Sequence, residues 1–174
     1  MESIAFCPAH ITGFFKAHIE KNETILENLG STGAGFSIKQ GVTTRVKIDI
    51  KNEKKVNFKI ITKGYKSDKT DISEYVLHEF LKLGKFSNLF FNIEHEITIP
   101  VGYGLGSSSA VALSLSFALD QALKTKLDKI IIGQIAHNAE VNCKTGLGDV
   151  LASYYGGFEI RDKPGAPGIG HVQK

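Results

Sequence analysis

The sequence predicts an α+β domain, with strands in the first half of the chain and helices mainly in the second. Three observations support this. Four segments before residue 62 are rich in β-branched and aromatic residues and are separated by Gly, Asn or Lys turns. Helical spacing of apolar residues begins only at residue 71 and returns after residue 108. With 174 residues, 42% of them hydrophobic and 22% charged, the chain suits one globular domain.

The four early segments are expected to pair as antiparallel strands. They are SIAFC at 3–7, GAGFSI at 33–38, TTRVKIDI at 43–50 and KVNFKII at 55–61. Helical spacing follows in DISEYVLHEFLKLG at 71–84. Alternation of apolar and polar residues then returns in FFNIEHEITIP at 90–100, which predicts a strand that leads straight into a glycine-rich loop.

Helices are predicted for most of the second half of the chain. SAVALSLSFALDQAL at 109–123 is apolar almost all round, which predicts a buried helix. Another helix is expected from about Leu127, with Asp128 as its N-cap, and a short one from Asp149. Residues 164–174 concentrate proline and glycine and are interpreted as a linker or tail, so the predicted domain covers 1–163.

Charge and composition exclude several classes of protein. A net charge of +3 is too modest to indicate a nucleic-acid partner, although seven lysines are concentrated between 51 and 69. In a strand such lysines are typical of a solvated face or a protected sheet edge; contact with RNA and steering of an anionic substrate are the alternatives. The two cysteines, Cys7 and Cys143, lack zinc-ligand spacing and are expected to be free thiols. No apolar run reaches the roughly 20 residues that span a membrane and no signal peptide is evident, so we expect a cytoplasmic protein.

The glycine-rich loop PVGYGLGSSSA, at 100–110, places three glycines and three serines before the buried helix. The first N–H groups of a helix have no intrahelical partner and attract anions such as phosphate. Glycine lets the backbone approach the anion, and serine hydroxyls can reach the anion or its metal. Ordinary turn and capping chemistry is the alternative. The GxxxxGK[ST] pattern of P-loop proteins is absent, which excludes that class. The GxGxxG pattern of Rossmann domains is not complete either, because Ser107 stands at the position of its third glycine, so a Rossmann domain is excluded as well.

The pattern from Pro100 to Ala110 resembles the nucleotide loop of the GHMP small-molecule kinases. Two more segments resemble motifs of that family in the same order, FCPAHITGFFKAH at 6–18 and TGLGDVLASYYGGF at 145–158. The chain is therefore identified by resemblance as a GHMP kinase N-terminal domain, whose antiparallel-rich sheet packs with helices. The family's second α+β domain, which walls the acceptor site, is not encoded in these residues.

The resemblance implies the cofactors ATP and Mg²⁺ and a set of site residues. Asp149 would orient the acceptor hydroxyl and take its proton, with a simple helix N-cap as the alternative. Ser108 and Glu140 would bind Mg²⁺, with an exposed surface glutamate as the alternative for Glu140. The residues that would bind ATP are Gly102, Gly104, Leu105, Gly106, Ser107, Ser108 and Ser109.

Two segments are most similar to family members that phosphorylate pantoate, namely CPAHITGFF at 7–15 and LGSTGAGFSIKQGVTT at 29–44. This implies transfer of the γ-phosphate of ATP to the hydroxyl of pantoate, an early step toward coenzyme A. His10, which stands where mevalonate-type members carry a lysine, would donate to the γ-phosphate or to the substrate carboxylate; a core or surface histidine is the alternative. Ser31, Thr32 and Gly33 would form a second anion-binding turn for that carboxylate, with plain turn chemistry as the alternative.

Other functions stay open at this point. One is a different GHMP activity, on homoserine or mevalonate. Another is a non-catalytic nucleotide- or RNA-binding module that uses the lysine-rich strand and the glycine loop. A homodimer is one open alternative for the assembly, and a complementing C-terminal domain is another.

Overall fold

A computed structural model describes residues 1–20, 22–52, 55–65 and 69–174. Over these residues a mixed sheet packs with helices, which confirms the predicted α+β class. The strands are β1 (Glu2–His18), β2 (Gly30–Ile50), β3 (Asn57–Gly64), β4 (Leu89–Ile97), β5 (Phe158–Lys163) and β6 (His171–Gln173). The helices are α1 (Asp71–Lys82), α2 (Ser107–Leu123), α3 (Lys129–Cys143) and α4 (Asp149–Tyr155), with a short 3-10 turn at Leu26–Asn28.

The long strand β2 organises the sheet. Along one edge it pairs antiparallel with β1, and along the other it pairs antiparallel with β4 and β5. Two segments predicted as separate strands are therefore one, because Gly41 between them does not mark a turn. A Cβ at Gly41 would lie 2.1 Å from the carbonyl oxygen of Cys7, so glycine permits a close approach of two paired backbones.

The expectation that all early strands are antiparallel is wrong for β3. This strand pairs parallel with β4, not with β2. Helix α1 lies between the two strands in sequence, and such a crossover returns the chain in the same direction. β3 lies at the edge of the described sheet, where Lys59 and Lys63 are exposed and Lys63 pairs with Glu94 at 2.7 Å. This confirms a protected edge for these lysines; Glu53, Lys54, Lys66 and Asp68 lie outside the described residues.

Helix α2 forms the centre of the core, as its composition predicts. Its small residues allow close packing against β1 and β2, and Ser3 donates a hydrogen bond to the carbonyl of Ala118 at 2.6 Å. Asp128 is the N-cap of α3, since its carboxylate accepts from the backbone N–H of Ile130 at 2.7 Å. Cys7 is buried, Cys143 is half-buried, and both are free thiols. No helix in the described part of the chain is long and apolar enough to cross a membrane.

The interpretation of 164–174 as a linker is wrong, because this segment packs against the domain. Ala166 is fully buried and its N–H donates to the carbonyl of Glu27 at 2.8 Å. β6 then pairs with β5 and extends the sheet. Glycine and proline here serve close packing, since a Cβ at Gly30 would lie 2.4 Å from the backbone nitrogen of Gly165. The composition typical of a flexible linker is equally compatible with tight backbone contact.

Candidate active site

The glycine-rich loop connects β4 to α2 with three glycines in the left-handed region. Their φ angles are +86° at Gly102, +71° at Gly104 and +62° at Gly106, and Gly106 is the N-cap of α2. A Cβ at Gly102 or Gly104 would meet nothing within 4 Å, so the loop leaves its backbone accessible in front of the helix N-terminus. This is the strand-to-helix geometry that the sequence predicts for a phosphate loop.

Two hydrogen bonds fix this loop from behind. The hydroxyl of Ser109, fully buried, donates to the carbonyl of Gly106 at 2.8 Å. The backbone N–H of His10 donates to the carbonyl of Leu105 at 3.2 Å, which ties the loop to β1. A cavity of about 340 Å³ opens on the other side. All of the predicted ATP-binding residues line it except Ser109, which the structure places beneath the loop as a support.

Glu140 on α3 is buried under the start of α2. One carboxylate oxygen, Oε1, accepts a short hydrogen bond from Ser108, and Oε2 has no hydrogen-bond partner among the described residues. Burial, and secondarily the charge of Asp149, raise the pKa of Glu140 to about 8. A Cβ at Gly146 would lie 2.6 Å from Oε2, so a glycine is required where the carboxylate rests on the backbone. The alternative of an exposed surface glutamate is wrong.

Ser108 and Glu140 supply a donor set that fits Mg²⁺. Both offer hard oxygen ligands, and the second oxygen of Glu140 is buried without a partner. The described residues contain no cluster of three or more His, Cys, Asp or Glu side chains that could hold a metal ion by themselves. Mg²⁺ commonly takes only one or two protein groups and completes its octahedron with phosphate and water oxygens. The pair therefore suits a metal that arrives with a nucleotide.

Asp149 is the first residue of α4, and Gly148 before it is the N-cap. The side chain of Asp149 makes no capping bond, so the simple N-cap alternative is wrong. Its Oδ1 lies 3.2 Å from Nδ1 of His10 and accepts from the hydroxyl of Thr12, also at 3.2 Å. No hydrogen bond reaches Oδ2 from the described residues, and the side chain is 28% exposed. Asp149 therefore presents one fixed and one open oxygen.

A second cavity, of about 850 Å³, adjoins the first. The two share Gly104, Thr145 and Asp149 as lining residues, so the carboxylate of Asp149 stands where they meet. The polar side of the second cavity is formed in part by Thr12, Ser31 and Arg161. Its apolar side chains include Phe15, Ile19, Leu26 and Leu29.

The structure separates the residues predicted to bind substrate. Ser31 lines the second cavity. His10 is fully buried and lines neither cavity, so its ring contacts residues of the site, Asp149 and Thr12, without facing a cavity itself. Thr32 bonds to His18 at 3.0 Å, and Gly33 packs against the backbone of β1. The predicted anion-binding turn is therefore wrong, because residues 31–33 are extended in β2 and pair with β1.

Sequence reasoning missed Thr12, Glu159 and Arg161. Arg161 is 1% exposed, its Nη1 donates to Oε1 of Glu159 at 2.5 Å, and its Nε has no partner among the described residues. A Cβ at Gly148 would lie 2.0 Å from the hydroxyl of Ser31 and 3.2 Å from that Nε. One sequence pattern could have indicated Glu159 and Arg161. In FEIRDK at 158–163 they alternate with apolar residues, so both point to the same face of a short strand, and the structure shows that this face is buried.

Known proteins resemble this chain in sequence and in fold. A model of the GHMP kinases N terminal domain matches residues 72–157. The pantoate kinases of Methanocaldococcus jannaschii and Thermococcus kodakarensis are 37% and 33% identical over 93% and 95% of this chain. The shikimate kinase of Pyrococcus furiosus is 33% identical over 78% of it. These matches cover 54%, 53% and 50% of the three relatives, so the chain spans about half their length.

A solved structure described as a phosphotransferase related to the CoA biosynthesis pathway superposes with a TM-score of 0.88. It is 32% identical, and the match covers all of this chain and 57% of that one. The homoserine kinase of Cytophaga hutchinsonii superposes with a TM-score of 0.66 at 20% identity over 99% of this chain and 51% of its own, which shows the shared fold.

Proposed function

Since the chain belongs to the GHMP kinases and carries their N-terminal domain, we propose that it is the ATP-binding half of a small-molecule kinase whose acceptor is the hydroxyl of pantoate. One observation carries the proposal. Asp149 lines both cavities, between the glycine loop on one side and a polar pocket on the other. A carboxylate in that place can serve a reaction between a nucleotide and a second molecule.

On the nucleotide side, the chain would supply positioning. Backbone N–H groups of the loop and of the first turn of α2 would bind the phosphates of ATP. Ser108 and Glu140 would hold Mg²⁺, which when bound neutralises phosphate charge. Glu140 would do so as a carboxylate, and a neighbouring cation favours that ionised form over the protonated one that burial favours.

On the acceptor side, Asp149 would act as the base. Its open Oδ2 would accept the hydroxyl proton as the acceptor oxygen forms its bond to the γ-phosphorus, while the bond from that phosphorus to the bridging oxygen breaks and ADP leaves. Catalysis of phosphoryl transfer depends on positioning and electrostatic stabilisation, and Thr12 and His10 would hold Oδ1 in place for it.

The second cavity suits a hydroxy acid with an aliphatic body. Arg161 brings a positive charge to its wall with Nε unpartnered, and the hydroxyl of Ser31 lies beside it. Arginine is well suited to bind a carboxylate, and a buried donor without a partner gains most from one. The apolar side chains of Leu26 and Leu29 would then face the carbon skeleton. These features support pantoate, the acceptor named in the first two relatives, and they also accommodate shikimate.

The test is acceptor-dependent release of ADP, measured with pantoate, shikimate, homoserine and mevalonate under one set of conditions. It is run with the chain alone and with the chain supplied with the C-terminal half of the M. jannaschii relative. We expect the highest kcat/KM for pantoate, with phosphopantoate identified by mass spectrometry. A higher value for another acceptor would replace pantoate with that acceptor. ATP binding without turnover on any acceptor would contradict the kinase proposal.

A further inference from the structure

Four ionisable side chains form a continuous hydrogen-bonded chain behind the open oxygen of Asp149, and all but Asp149 are buried. Oδ1 of Asp149 lies 3.2 Å from Nδ1 of His10, and Nε2 of His10 lies 2.8 Å from Oε1 of Glu159. The same Oε1 accepts from Nη1 of Arg161 at 2.5 Å. His10, Glu159 and Arg161 are each at most 1% exposed. The chain thus runs from the wall of the acceptor cavity at Arg161 to the candidate base.

The position of the Nδ1 proton decides what His10 does for Asp149. Nδ1 has two oxygen neighbours at 3.2 Å, Oδ1 of Asp149 and the hydroxyl of Thr12, while Nε2 faces Oε1 of Glu159. A carboxylate can only accept, so a proton on Nδ1 makes His10 a donor to Asp149. Without that proton, Nδ1 would accept from Thr12, and the hydroxyl would then no longer donate to Oδ1.

We propose that His10, donating from Nδ1, and Glu159 are positioning residues for the reaction, a proposal that rests on the function given above. His10 and the hydroxyl of Thr12 both engage Oδ1 of Asp149, which orients the carboxylate and leaves Oδ2 toward the cavities. Glu159 lines neither cavity and acts only through its neighbours.

One oxygen of Glu159 therefore positions both ends of the acceptor site. Through His10 it acts on the orientation of Asp149, and through Nη1 it fixes Arg161 with Nε toward the cavity. A structural carboxylate would contribute only to stability. A carboxylate that positions both groups should affect kcat and the KM for the acceptor together, while the KM for ATP, which depends on the glycine loop, stays the same.

The first experiment needs neither a variant nor activity. Nitrogen-15 NMR of imidazole rings distinguishes an imidazolium from either neutral tautomer, and the signals of His10 can be assigned through its backbone. We expect Nδ1 of His10 to carry a proton in the chain as it stands. An Nδ1 without a proton would overturn the proposal even if the kinase activity is confirmed, and a protonated Nδ1 would support it even if the acceptor is not pantoate.

The second experiment compares Glu159→Gln with Asp162→Asn. Asp162 lies on the same strand, but its side chain is exposed and bonds to His171 and Gln173. We expect Glu159→Gln to lower kcat by about 10- to 100-fold, by analogy with the loss of a hydrogen-bond partner behind a metal ligand, and to raise the KM for the acceptor. Asp162→Asn should change neither.

Two outcomes of that comparison contradict the proposal. One is a Glu159→Gln variant with unchanged kcat and acceptor KM. The other is a variant that folds with a lower melting temperature only, since a loss of stability alone shows a structural role. If Glu159→Gln does not fold, the nitrogen-15 result for the wild-type chain decides whether His10 donates to Asp149 from Nδ1.

Discussion

Ser108 on α2 donates a short hydrogen bond to Oε1 of Glu140 on α3, which joins the helix after the glycine-rich loop to a buried carboxylate. The two residues are 32 positions apart in sequence. The bond holds one oxygen of Glu140 and leaves Oε2 without a partner among the described residues. A group that is costly to ionise in the ligand-free fold thus stands at the position where a cation would favour its ionisation.

The first prediction concerns the pH dependence of stability. The pKa of Glu140 rises from its ordinary 4.5 to about 8 on folding, mainly through burial. Between these values the folded chain holds a proton that the unfolded chain has released, so the contribution of Glu140 to the free energy of unfolding falls as pH rises and levels off above about 8. This decrease in stability can be measured by thermal unfolding of the ligand-free chain at pH 5, 6, 7 and 8.

Glu140→Gln is the matched variant, because the amide is isosteric and does not ionise. The difference in melting temperature between wild type and this variant should shift in favour of the variant as pH rises. The other titrating groups cancel in that difference. A difference that stays constant from pH 5 to pH 8 would show that Glu140 is not the group responsible. The same variant should bind Mg·ATP more weakly, since it lacks the anionic ligand.

The second prediction concerns Asp149→Asn in the active enzyme. If Asp149 orients and deprotonates the acceptor hydroxyl, kcat should fall by roughly 10²- to 10⁴-fold, the usual range for a positioned general base. ATP affinity should stay nearly constant, because the loop contacts are unchanged. Asp128→Asn is the control, since Asp128 caps α3 away from the site and asparagine caps equally well. If the Asp149 variant has a near wild-type kcat, Asp149 is not the base, and another group must accept the proton of the hydroxyl.

The third prediction concerns Gly106→Val and ATP binding. Valine is strained at the φ of +62° found there, and its Cβ would lie 3.1 Å from the hydroxyl of Ser109. Binding of Mg·ATP, measured by calorimetry, should be lost while far-UV circular dichroism is retained. Gly156→Val is the control, because Gly156 has a φ of +66°, open space around it and no place in either cavity. Retained affinity in the Gly106 variant would remove the phosphate-loop interpretation.

The fourth prediction concerns the chain alone. The second cavity opens to solvent, and phosphoryl transfer is faster where water is excluded. We expect slow pantoate-dependent release of ADP from the 174-residue chain, and faster release when the C-terminal half of a relative is supplied as a separate polypeptide. The rate without pantoate is the control for leakage to water. If the chain alone reaches the rate of the complemented protein, a second domain is not needed for turnover.

Local chemistry explains which features the sequence determined. The accessible backbone of the glycine-rich loop follows from the local sequence, with glycines at 102, 104 and 106 between a strand and a helix. It does not depend on which strands pair with β4, because φ angles and the free N–H groups of a helix N-terminus are local properties. The same holds for the apolar composition of α2, which predicts its burial, and for the N-cap of α3 at Asp128. For the last segment, composition was misleading, since glycine and proline permit close packing as well as flexibility.

Only the tertiary structure decided the other half of the site. Asp149, His10 and Glu159 lie on α4, β1 and β5, and no spacing along the chain indicates that their side chains meet. Their contact depends on β2, which pairs with β1 on one edge and with β5 on the other. This pairing brings His10 within hydrogen-bond distance of Asp149, which is 139 positions away in sequence, and of Glu159, which is 149 positions away. Sequence determined which side-chain types stand at each position, and long-range strand pairing placed His10 in contact with Asp149, where the sequence had predicted contact with the substrate itself.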